Sequence, residues 1–442
     1  MALCRMIIAP FLPGVPMLHF LYSLFSRIAL PFLVFHLWWS GRGQPGSAGH
    51  WQERLGYVSR SSKPVIWVHA VSVGETIAAA PMVRALLRRN PDIPILMTAM
   101  TSTGSARARA LFGDQVLYAF SPCDTPGAVK RFVDRVQPRA LVIMETELWP
   151  NMIALSHRRN VPIFLINARL SERSAKRYMR VASSVQPLLR SIRWIAAQAE
   201  EDAQRFLRIG ATPSSVSVTG SIKYDVEISD QIRAESGALR QKLGTDRPVW
   251  IAASTHDGED RQLLEAHQII QSRYPLARLI IVPRHPERFS AVAALISSMG
   301  LTARRRSLET EGAGEYEDEN YDVYLGDTMG ELLMLYGAAD VAFVGGSLIE
   351  RGGHNPLEPA AWGLPVLSGP HIFNFETIYR QLDAGQGFFE TPSAEALAAC
   401  VIRLFDDPEE AGRVGQSALT VVNANRGALE RVVDGIVERV RY

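Results

Sequence analysis

One stretch of the chain separates a β-branched run from a run of helix formers: Val68-His69-Ala70-Val71-Ser72-Val73-Gly74-Glu75-Thr76. Residues 65–68 predict a strand and residues 76–80 predict a helix, so the stretch is a tight strand-to-helix connection. Gly74 gives this connection a backbone that can bend or approach a ligand closely. Glu75 falls in the first helical turn, at the strand end where open α/β sheets bind ligands. Its carboxylate is either a partner of the helix dipole or a catalytic base.

Strand and helix patterns alternate along the rest of the chain. The predicted strands are 65–68, 95–99, 116–120, 140–144, 161–166, 194–197 and 216–218 in the first half, and 249–253, 279–283, 321–325, 341–344 and 365–367 in the second. Residues 309–322 predict an acidic surface loop, and the chain from about residue 394 predicts helices. Strands that alternate with helices indicate parallel sheets with right-handed crossovers. The sequence therefore predicts an α/β fold built from two successive halves.

Composition places the chain among globular proteins. It has 442 residues, of which 47% are hydrophobic and 21% are charged, which is enough for two ordinary domains. The three cysteines are far apart, so we expect a reducing compartment and no disulfide framework. No Cys/His cluster has the spacing of a zinc site.

The small net charge of +2 conceals two oppositely charged halves. Residues 1–220 carry 26 Lys and Arg against 12 Asp and Glu, whereas residues 221–442 carry 21 against 33. The two surfaces are either ordinary solvated faces, or the basic half faces an anionic partner such as a membrane or a phosphorylated acceptor. The change of sign falls at a turn at Gly220, where we place a domain boundary.

The first 52 residues contain no acidic side chain and are rich in apolar ones. The segment 18–39 has the length of a bilayer span, which needs about 20 apolar residues. Four residues interrupt it, namely His19, Arg27, Pro31 and His36. We predict a membrane anchor in residues 1–42, with Trp38 and Trp39 at the interface. A helix lying in the headgroup layer is the next interpretation, and a cleaved signal peptide is the least favoured.

Polar motifs follow the predicted strands of both halves, where they would line a cleft between two domains. They are Glu75, 102–104, 145–151 and 167–169 in the first half, and 254–259, 284–285, 327–332, 345–347 and 352–359 in the second. The glycine-rich segment 345–359 precedes a helix predicted at Pro356, which suits a phosphate, while Glu358 suits ribose hydroxyls. Helix capping alone is the alternative, but four glycines exceed what a cap requires.

Known nucleotide-binding fingerprints are absent, because neither G-x-G-x-x-G after a first strand nor G-x-x-x-x-G-K-[ST] occurs. Arg284 and Lys223 are candidate partners for a phosphate or carboxylate, although a lone Lys is more often a solvated charge. His69, on a β-branched strand, is more often a core residue than a catalyst. Three further histidines lie in loops, namely His256, His285 and His354, and we favour phosphate contact over a metal site there.

Taken together, these motifs resemble one family, the lipid A transferases of 3-deoxy-D-manno-octulosonic acid (Kdo). The similarity runs from residue 51 to about residue 374, and the N-terminal apolar segment is also expected of the family. Its matching motifs, in order, are 51–56 (WQERLG), 69–75 (HAVSVGE), 145–151 (ETELWPN), 167–171 (NARLS), 283–288 (PRHPER), 327–332 (DTMGEL), 343–348 (FVGGSL) and 352–359 (GGHNPLEP). The chain departs from the family pattern at Ser221, where Asn is frequent, and in a proline-containing start.

The resemblance implies the GT-B architecture, in which two Rossmann-like domains face a cleft. An anchor would occupy residues 1–42, an acceptor-binding domain residues 43–220 and a CMP-sugar-binding domain residues 221–442, with the C-terminal helices able to pack back on the first domain. The implied reaction is inverting transfer of Kdo from CMP-Kdo to a lipid A precursor in lipopolysaccharide core biosynthesis. It implies neither a cofactor nor a metal in the transfer step, and no nucleic-acid partner.

Residue roles carry over by motif from the same resemblance. Glu75 would be the general base, and Glu145 and Lys223 would stabilise the transition state. The residues that would hold CMP are Pro283, Arg284, Met329, Gly330, Glu331, Asn355, Pro356, Leu357 and Glu358. The implied location is the cytoplasmic side of the bacterial inner membrane. Two alternatives are another GT-B enzyme that uses a UDP-sugar and, remotely, a nonenzymatic nucleotide sensor.

Overall fold

A computed structural model describes residues 17–40, 50–310 and 320–440. The beginning of the predicted anchor, the polar segment that follows it and most of the predicted acidic loop lie outside the described residues. So do the side chains of Trp38 and Trp39. The described residues divide into two compact units. The first runs to Ile222 and resumes at Gly427, and the second comprises Lys223–Arg426.

The first unit is built on a seven-stranded parallel sheet in the order β3-β2-β1-β4-β5-β6-β7. Its strands are β1 Val65–His69, β2 Ile95–Ala99, β3 Leu117–Phe120, β4 Pro138–Met144, β5 Ile163–Ala168, β6 Trp194–Ala197 and β7 Val216–Val218. Its helices up to β7 are α1 Met17–Ser40, α2 Trp51–Arg54, α3 Val73–Arg89, α4 Ser102–Phe112, α5 Pro126–Val136, α6 Pro150–Arg158, α7 Glu172–Met179, α8 Ala182–Arg190 and α9 Glu200–Arg208. The central strands β1, β2 and β5 are buried along their whole length, as expected of a sheet covered by helices on both faces.

The second unit repeats the plan with a seven-stranded parallel sheet in the order β10-β11-β9-β8-β12-β13-β14. Its strands are β8 Val249–Thr255, β9 Arg278–Pro283, β10 Ala303–Arg305, β11 Val323–Leu325, β12 Val341–Val344, β13 Val366–Ser368 and β14 Phe388–Glu390. Its helices are α10 Asp230–Leu243, α11 Asp260–Arg273, α12 Phe289–Ser298, α13 Arg306–Thr310, α14 Leu332–Tyr336, α15 Leu357–Ala361, α16 Glu376–Ala384, α17 Ala394–Asp406 and α18 Pro408–Asn425. The predicted α/β class with two Rossmann-like units is thus confirmed.

Each sheet has one position at which the strand order reverses. In the first unit it lies between β1 and β4, and in the second between β8 and β12. Connections leave these neighbouring strands in opposite directions, so a crevice opens at their carboxyl ends. Glu75 and Glu145 follow β1 and β4, whereas His256 and the glycine-rich segment follow β8 and β12. These predicted polar motifs therefore lie at the topological switch points, whereas the others follow other strands of the two sheets.

The chain returns to the first unit in its last helix, α19, Ala428–Val440. Val432 and Ile436 of α19 are buried in the same apolar cluster as Ile66 and Val142 of the sheet. Gly435 allows the helix to approach, because a Cβ there would lie 2.2 Å from the Trp194 ring. The predicted domain boundary assigned residues 221–442 to the second domain and left this return open.

Helix α1 contacts the rest of the first unit through polar side chains. His19 and Ser23 hydrogen bond the Asn151 Oδ1 atom at 3.2 and 2.8 Å, and the Tyr22 hydroxyl donates to Asp124 at 2.9 Å. Asp124 in turn accepts the backbone N–H groups of Asn151 and Met152, which begin α6. Within the described part of the chain, no helix is both long and apolar enough to cross a bilayer.

Candidate active site

Glu75 is fixed by a reciprocal cap at the start of α3. The Ser72 hydroxyl accepts the Glu75 backbone N–H at 3.2 Å and donates to its carboxylate at 3.0 Å. The Val71 N–H donates to the other carboxylate oxygen at 2.9 Å. Only 9% of Glu75 is exposed. Burial therefore raises the pKa of this carboxyl to about 7, against the lowering effect of its two hydrogen bonds.

Two further carboxylates lie close enough to act on Glu75. The charges of Glu147 and Glu145 both raise its pKa, and that of Glu147 has the larger effect. Glu145 follows β4 with φ +54°, a left-handed conformation that is unfavourable for a residue with a side chain. The Trp149 indole N–H donates to Glu147 at 2.7 Å and fixes its side chain. The role of Glu147 was missed in the sequence analysis, although it lies inside a matched motif.

His69 packs against Trp149, beside the Glu75 connection, and its neutral ring does not act as a base. Burial lowers the pKa of its fully buried imidazole to about 3, so the ring is neutral. Its Nδ1 atom lies 3.1 Å from the Thr98 hydroxyl and 3.2 Å from the Ser121 hydroxyl. The ring packs edge-on against Trp149, with centroids 4.9 Å apart. Its Nε2 atom has no hydrogen-bond partner among the described residues, so the predicted core role is only partly satisfied.

Gly74 does not bend the connection as predicted. It lies in the regular first turn of α3, and a Cβ there would meet only the Ser72 hydroxyl, at 3.8 Å. The reason is that the turn from strand to helix is complete at Ser72, which is in extended conformation before Val73 begins the helix.

Basic side chains follow β5 of the first unit, and Lys223 begins the second unit. Asn167 ends β5 with φ +54°, and its Oδ1 atom accepts the Ile222 N–H at 3.2 Å. The chain then enters α7, which carries exposed Arg173, Lys176 and Arg177. Lys223 begins the second unit in a short 3-10 helix, Ile222–Tyr224, with Nζ 5.9 Å from the centroid of the Phe375 ring.

Backbone N–H groups of the glycine-rich segment in the second unit are already bonded to a buried side chain, that of Glu259. The carboxylate of Glu259, which is fully buried, accepts the backbone N–H groups of Gly346, Ser347 and Leu348 at 2.7 to 2.9 Å. It also accepts the backbone N–H of His256 at 2.9 Å. The expectation that these amides are available to a phosphate is therefore wrong for residues 346–348. Glu259 lies within the predicted polar motif 254–259, but nothing in its local sequence shows that its carboxylate bonds the backbone after β12.

The helix that follows the glycine-rich segment is short. Helix α15 has five residues, so its dipole is small, and the N–H of Leu357 is taken by the Asn355 side chain at 3.2 Å. The Asn355 amide donates to Glu358 at 3.2 Å. Burial raises the pKa of the Glu358 carboxyl, and the Arg284 charge lowers it. Arg284 follows Pro283 at the end of β9, so the structure brings this part of the predicted CMP site together.

The predicted 329–331 segment lies at the carboxyl end of a neighbouring strand. Gly330 has φ +91°, which glycine adopts without strain, and Met329 is exposed. Glu331 is held by Arg306 at 2.7 Å and by the Thr328 hydroxyl. The hydrogen bond from Arg306 lowers the pKa of Glu331, which therefore carries a charge at neutral pH.

Three histidines meet at the switch point of the second unit. The Nε2 atoms of His256 and His354 are 2.8 Å apart, and the ring of His285 lies 5.3 Å from that of His256. Burial lowers the pKa of His256 to about 4 and that of His354 to about 3, so both rings are neutral. Among the residues that the structure describes, no group of three or more His, Cys, Asp or Glu side chains could hold a metal ion.

The fold of the described chain is shared with solved sugar-nucleotide enzymes. The crystal structure of UDP-GlcNAc 2-epimerase from Neisseria meningitidis superposes with a TM-score of 0.56 over 85% of this chain and all of that one. At 14% sequence identity, this similarity concerns the fold alone.

Sequence comparison identifies the family. Residues 49–226 match the family profile described as 3-deoxy-D-manno-octulosonic-acid transferase, and residues 299–420 match that of the glycosyl transferases group 1. The 3-deoxy-D-manno-octulosonic acid transferase of Haemophilus influenzae is 42% identical over 95% of this chain and 98% of its own length. That of Bordetella pertussis is 37% identical over 94% and 98%. The chain therefore belongs to the 3-deoxy-D-manno-octulosonic acid transferase family and is a glycosyltransferase.

Proposed function

We propose that this chain transfers Kdo from CMP-Kdo to the sugar hydroxyl of a lipid A precursor in lipopolysaccharide core biosynthesis, with Glu75 as general base. The observation that carries the choice of base is the buried Glu75 carboxyl, which Val71 and Ser72 hold in place and whose pKa burial raises to about 7, near the operating pH of a base. The family supports the transferred sugar, because its curated members are named for it.

The proposed reaction is one in-line displacement. The acceptor oxygen bonds to the anomeric carbon of Kdo while the bond from that carbon to the phosphate oxygen of CMP breaks, and CMP leaves with the electron pair. The hydroxyl proton passes to the Glu75 carboxylate, which Ser72 and Val71 hold in place. Protonation of Glu75 also removes its repulsion by Glu145 and Glu147. These two carboxylates therefore favour the protonated form of Glu75 that the reaction produces.

The donor would bind in the second unit. Arg284 supplies a positive charge near Glu358, and Asn355 and Glu358 offer polar atoms for ribose. Lys223 and Arg284 would stabilise the negative charge that develops on the leaving CMP. These roles are assigned by position at the strand ends and by the family motifs, with Pro283, Met329, Gly330, Glu331, Pro356 and Leu357 completing the proposed CMP site.

A direct assay tests this function. Purified protein is incubated with CMP-Kdo and a tetra-acylated lipid A precursor, and the product is weighed by mass spectrometry. We expect mass increments of Kdo, and we expect Glu75→Gln to lower turnover by about 100-fold to 10,000-fold, the usual contribution of a general base. Glu200→Gln is the matched control and should retain activity, because Glu200 is an exposed residue at the start of α9 in the same unit. Transfer from a UDP-sugar in place of CMP-Kdo would overturn the assignment.

We also propose that α1 attaches the protein to an anionic lipid surface, at the cytoplasmic face of the inner membrane. The polar contacts of His19, Tyr22 and Ser23 face the first unit. Large apolar side chains at helical spacing are exposed instead, namely Leu21, Leu24, Phe25, Ile28 and Phe32. Such a face suits a helix lying in the headgroup layer, and the excess of basic residues in this half suits anionic lipids.

Vesicle flotation tests the lipid proposal. We expect the protein to float with vesicles containing phosphatidylglycerol and to bind pure phosphatidylcholine more weakly. Phe25→Asp with Ile28→Asp should reduce binding at least about tenfold, because charges then replace buried apolar area. Leu276→Asp is the control, since Leu276 is 60% exposed on the second unit and Ile28 is 61% exposed. Equal loss in the control and the helix variant would contradict the proposal.

A further inference from the structure

The segment 145–149, between β4 and α6, carries the two carboxylates that act on Glu75. The charges of Glu147 and Glu145 both raise the pKa of the Glu75 carboxyl. An electrostatic effect of this kind depends on the distance between the groups, so it persists only where the segment is held in place. Whatever fixes the 145–149 segment therefore also sets the proton affinity of the base.

The first end of this segment is bonded to the chain at the end of β5. The Glu145 backbone N–H donates to the Ile166 carbonyl at 2.9 Å. The Thr146 hydroxyl donates to the Arg169 carbonyl, also at 2.9 Å. These two hydrogen bonds fix the start of the segment to the neighbouring strand, whereas its other end runs into α6.

The second end is held by a carboxylate from a distant loop. Trp149 is the N-cap residue of α6, and its side chain makes no capping hydrogen bond. Asp124, in the loop after β3, caps the helix instead, because its carboxylate accepts the N–H groups of Asn151 and Met152 at 3.0 and 2.7 Å. The Asn151 side-chain amide donates to the Asp124 carbonyl at 2.7 Å. The position of Trp149, whose indole N–H holds Glu147, is therefore set from outside the segment.

Helix α1 completes this arrangement with the polar side chains that face the first unit. The Tyr22 hydroxyl donates to the Asp124 carboxylate at 2.9 Å, and the Ser23 hydroxyl donates to the Asn151 Oδ1 atom at 2.8 Å. Asn151 is only 3% exposed. Because buried polar groups need hydrogen-bond partners, α1 supplies part of what keeps Asp124 and Asn151 in place.

We propose that the polar side of α1 positions the 145–149 segment for catalysis. Tyr22 acts through the carboxylate of Asp124. Ser23 acts through the side-chain amide of Asn151. The inference rests on the proposed function, in which this segment lies beside the base, and adds four positioning residues to it. Helix α1 then has two roles, since its exposed apolar side chains attach the protein to lipid and its polar ones hold the catalytic segment.

The titrating groups around Asp124 are separable from the base. Burial raises the pKa of the Asp124 carboxyl to about 6 and lowers that of His19 below its usual 6.5, an effect to which the charge of Arg158 on α6 adds. Both groups therefore titrate below the Glu75 midpoint of about 7. Burial also raises the pKa of the Tyr22 hydroxyl, which remains a donor. A change in the midpoint near pH 7 thus reports on Glu75.

Kinetics on the full-length protein test the proposal. The double variant Tyr22→Phe with Ser23→Ala removes both hydroxyls, keeps the exposed apolar side chains of α1 and should still float with anionic vesicles. With CMP-Kdo and a detergent-dispersed lipid A precursor, we expect kcat to fall about tenfold and KM for CMP-Kdo to stay unchanged, since small misplacements near reacting groups mainly cost rate. The midpoint of the pH–rate profile should fall by about 0.3 pH unit or more, because Glu147 then lies farther from Glu75.

The control carries the same two kinds of substitution elsewhere in the first unit. It is Ser26→Ala with Tyr57→Phe, because the Ser26 hydroxyl bonds the Ser23 carbonyl within α1 and Tyr57 is 49% exposed beside Arg131. We expect the kcat and midpoint of wild type. Wild-type kcat in the Tyr22→Phe, Ser23→Ala variant would overturn the inference. A lower kcat with an unchanged midpoint would overturn it too, since it would show a loss of folded protein and no displacement of the segment.

A third variant tests the route through Trp149. Trp149→Phe removes the indole N–H that holds Glu147, so it should lower the midpoint by itself. Adding Tyr22→Phe with Ser23→Ala should then lower the midpoint no further, because changes along one route do not add. Additive shifts would overturn the proposed route.

A readout without turnover separates this inference from the proposed function. In protein labelled with ¹⁵N-tryptophan, the indole N–H resonance of Trp149 should move in the Tyr22→Phe, Ser23→Ala variant and not in the control. If the resonance does not move, the inference is overturned while the proposed function stands. If wild type transfers no Kdo but the resonance moves, the proposed function fails and α1 still positions the segment.

Discussion

Glu75 combines the two properties that a general base needs, a fixed position and a high proton affinity. Ser72 and Val71 fix the carboxylate, and burial with the charges of Glu147 and Glu145 raises its pKa to about 7. A carboxylate that served only as a partner of the helix dipole would contribute about 0.3–1 kcal/mol and would not require burial. The geometry therefore favours the catalytic interpretation over the electrostatic one.

A pH profile tests this at the level of one residue. The rate of transfer should rise with pH through about 7, because the base acts in its ionised form. Ser72→Ala should move the midpoint upward, since the lost hydrogen bond stabilises the carboxylate. Ser171→Ala is the matched control, because Ser171 caps α7 in the same way without contacting Glu75. An unchanged midpoint in Ser72→Ala would contradict this account of the pKa.

The same residue should reduce stability when it ionises. A folded pKa raised from 4.5 to about 7 means that the folded state holds its proton between these values while the unfolded state releases it. The free energy of unfolding contributed by Glu75 is thus highest below pH 4.5 and falls as pH rises toward 7. Glu75→Gln should raise the melting temperature at pH 8.5 relative to wild type, and less so at pH 5. A lower melting temperature of Glu75→Gln than of wild type at pH 8.5 would contradict the expectation that the ionised Glu75 destabilises the fold.

Individual functional residues were predicted unevenly from the sequence. Glu75 was found because its position after a β-branched run is a local feature. Glu259 was not found, because its amide partners at 346–348 lie almost ninety residues away along the chain. Glu147 lies within a matched motif, but the sequence does not show that its side chain is fixed. The structure shows this, because the Trp149 ring packs on His69 and its indole N–H donates to Glu147.

At the scale of elements, most strands were predicted, but the two edge strands of the second sheet were not. Strands β2, β6, β7 and β12 have the predicted bounds, since each is a compact apolar or β-branched run. Strands β10 and β14 have three residues each, and β10 reads Ala-Arg-Arg. Both lie at the two edges of the second sheet, where pairing on one side is enough and no apolar pattern is needed. The predicted acidic loop also begins too early, because Glu309 is buried against Arg304.

Alanine substitutions at two glycines with similar backbone angles separate the effect of backbone strain from the effect of a side-chain contact. Gly346 and Gly300 have φ +71° and +77°, so alanine at either should cost about 1 kcal/mol in the free energy of unfolding. A Cβ at Gly346 would also press on the His354 ring, whereas one at Gly300 would meet nothing within 4 Å. We expect Gly346→Ala alone to lower CMP affinity, by about tenfold or more, in calorimetric titrations. Equal CMP affinity in the two variants would show that the glycine-rich segment does not contribute to donor binding.

At the scale of the whole molecule, the first unit is completed by the last helix of the described chain. Helix α19 packs on the first sheet through Val432, Val433 and Ile436, and Arg89 of α3 forms an ion pair with Asp434. The alternating pattern of the sequence predicted two halves but could not assign this helix, because amphipathic helices of similar period end both units. Its partner is decided by tertiary packing, above all by Gly435 against Trp194.

Alanine substitutions at two helical glycines, Gly435 and Gly412, should change the melting temperature in opposite directions and so test this packing. Gly435→Ala should lower the melting temperature, because its Cβ would lie 2.2 Å from the Trp194 ring. Gly412→Ala in α18 is the control, since a Cβ there meets nothing within 4 Å and alanine favours a helix by about 1 kcal/mol. A melting temperature that rises in both variants would show that α19 does not depend on this contact.

The return of α19 has a consequence for how the protein is made. Every residue of Lys223–Arg426 leaves the ribosome before α19 does, so the apolar face around Ile66 and Val142 stays uncovered throughout that interval. At translation rates of about 5–20 residues per second, this lasts on the order of 10–40 seconds. The second unit can fold in the meantime, but the first cannot finish. The nascent chain is therefore expected to be a substrate for chaperones that bind exposed apolar sheet surface, and a premature stop before residue 428 would release the first unit without its last helix.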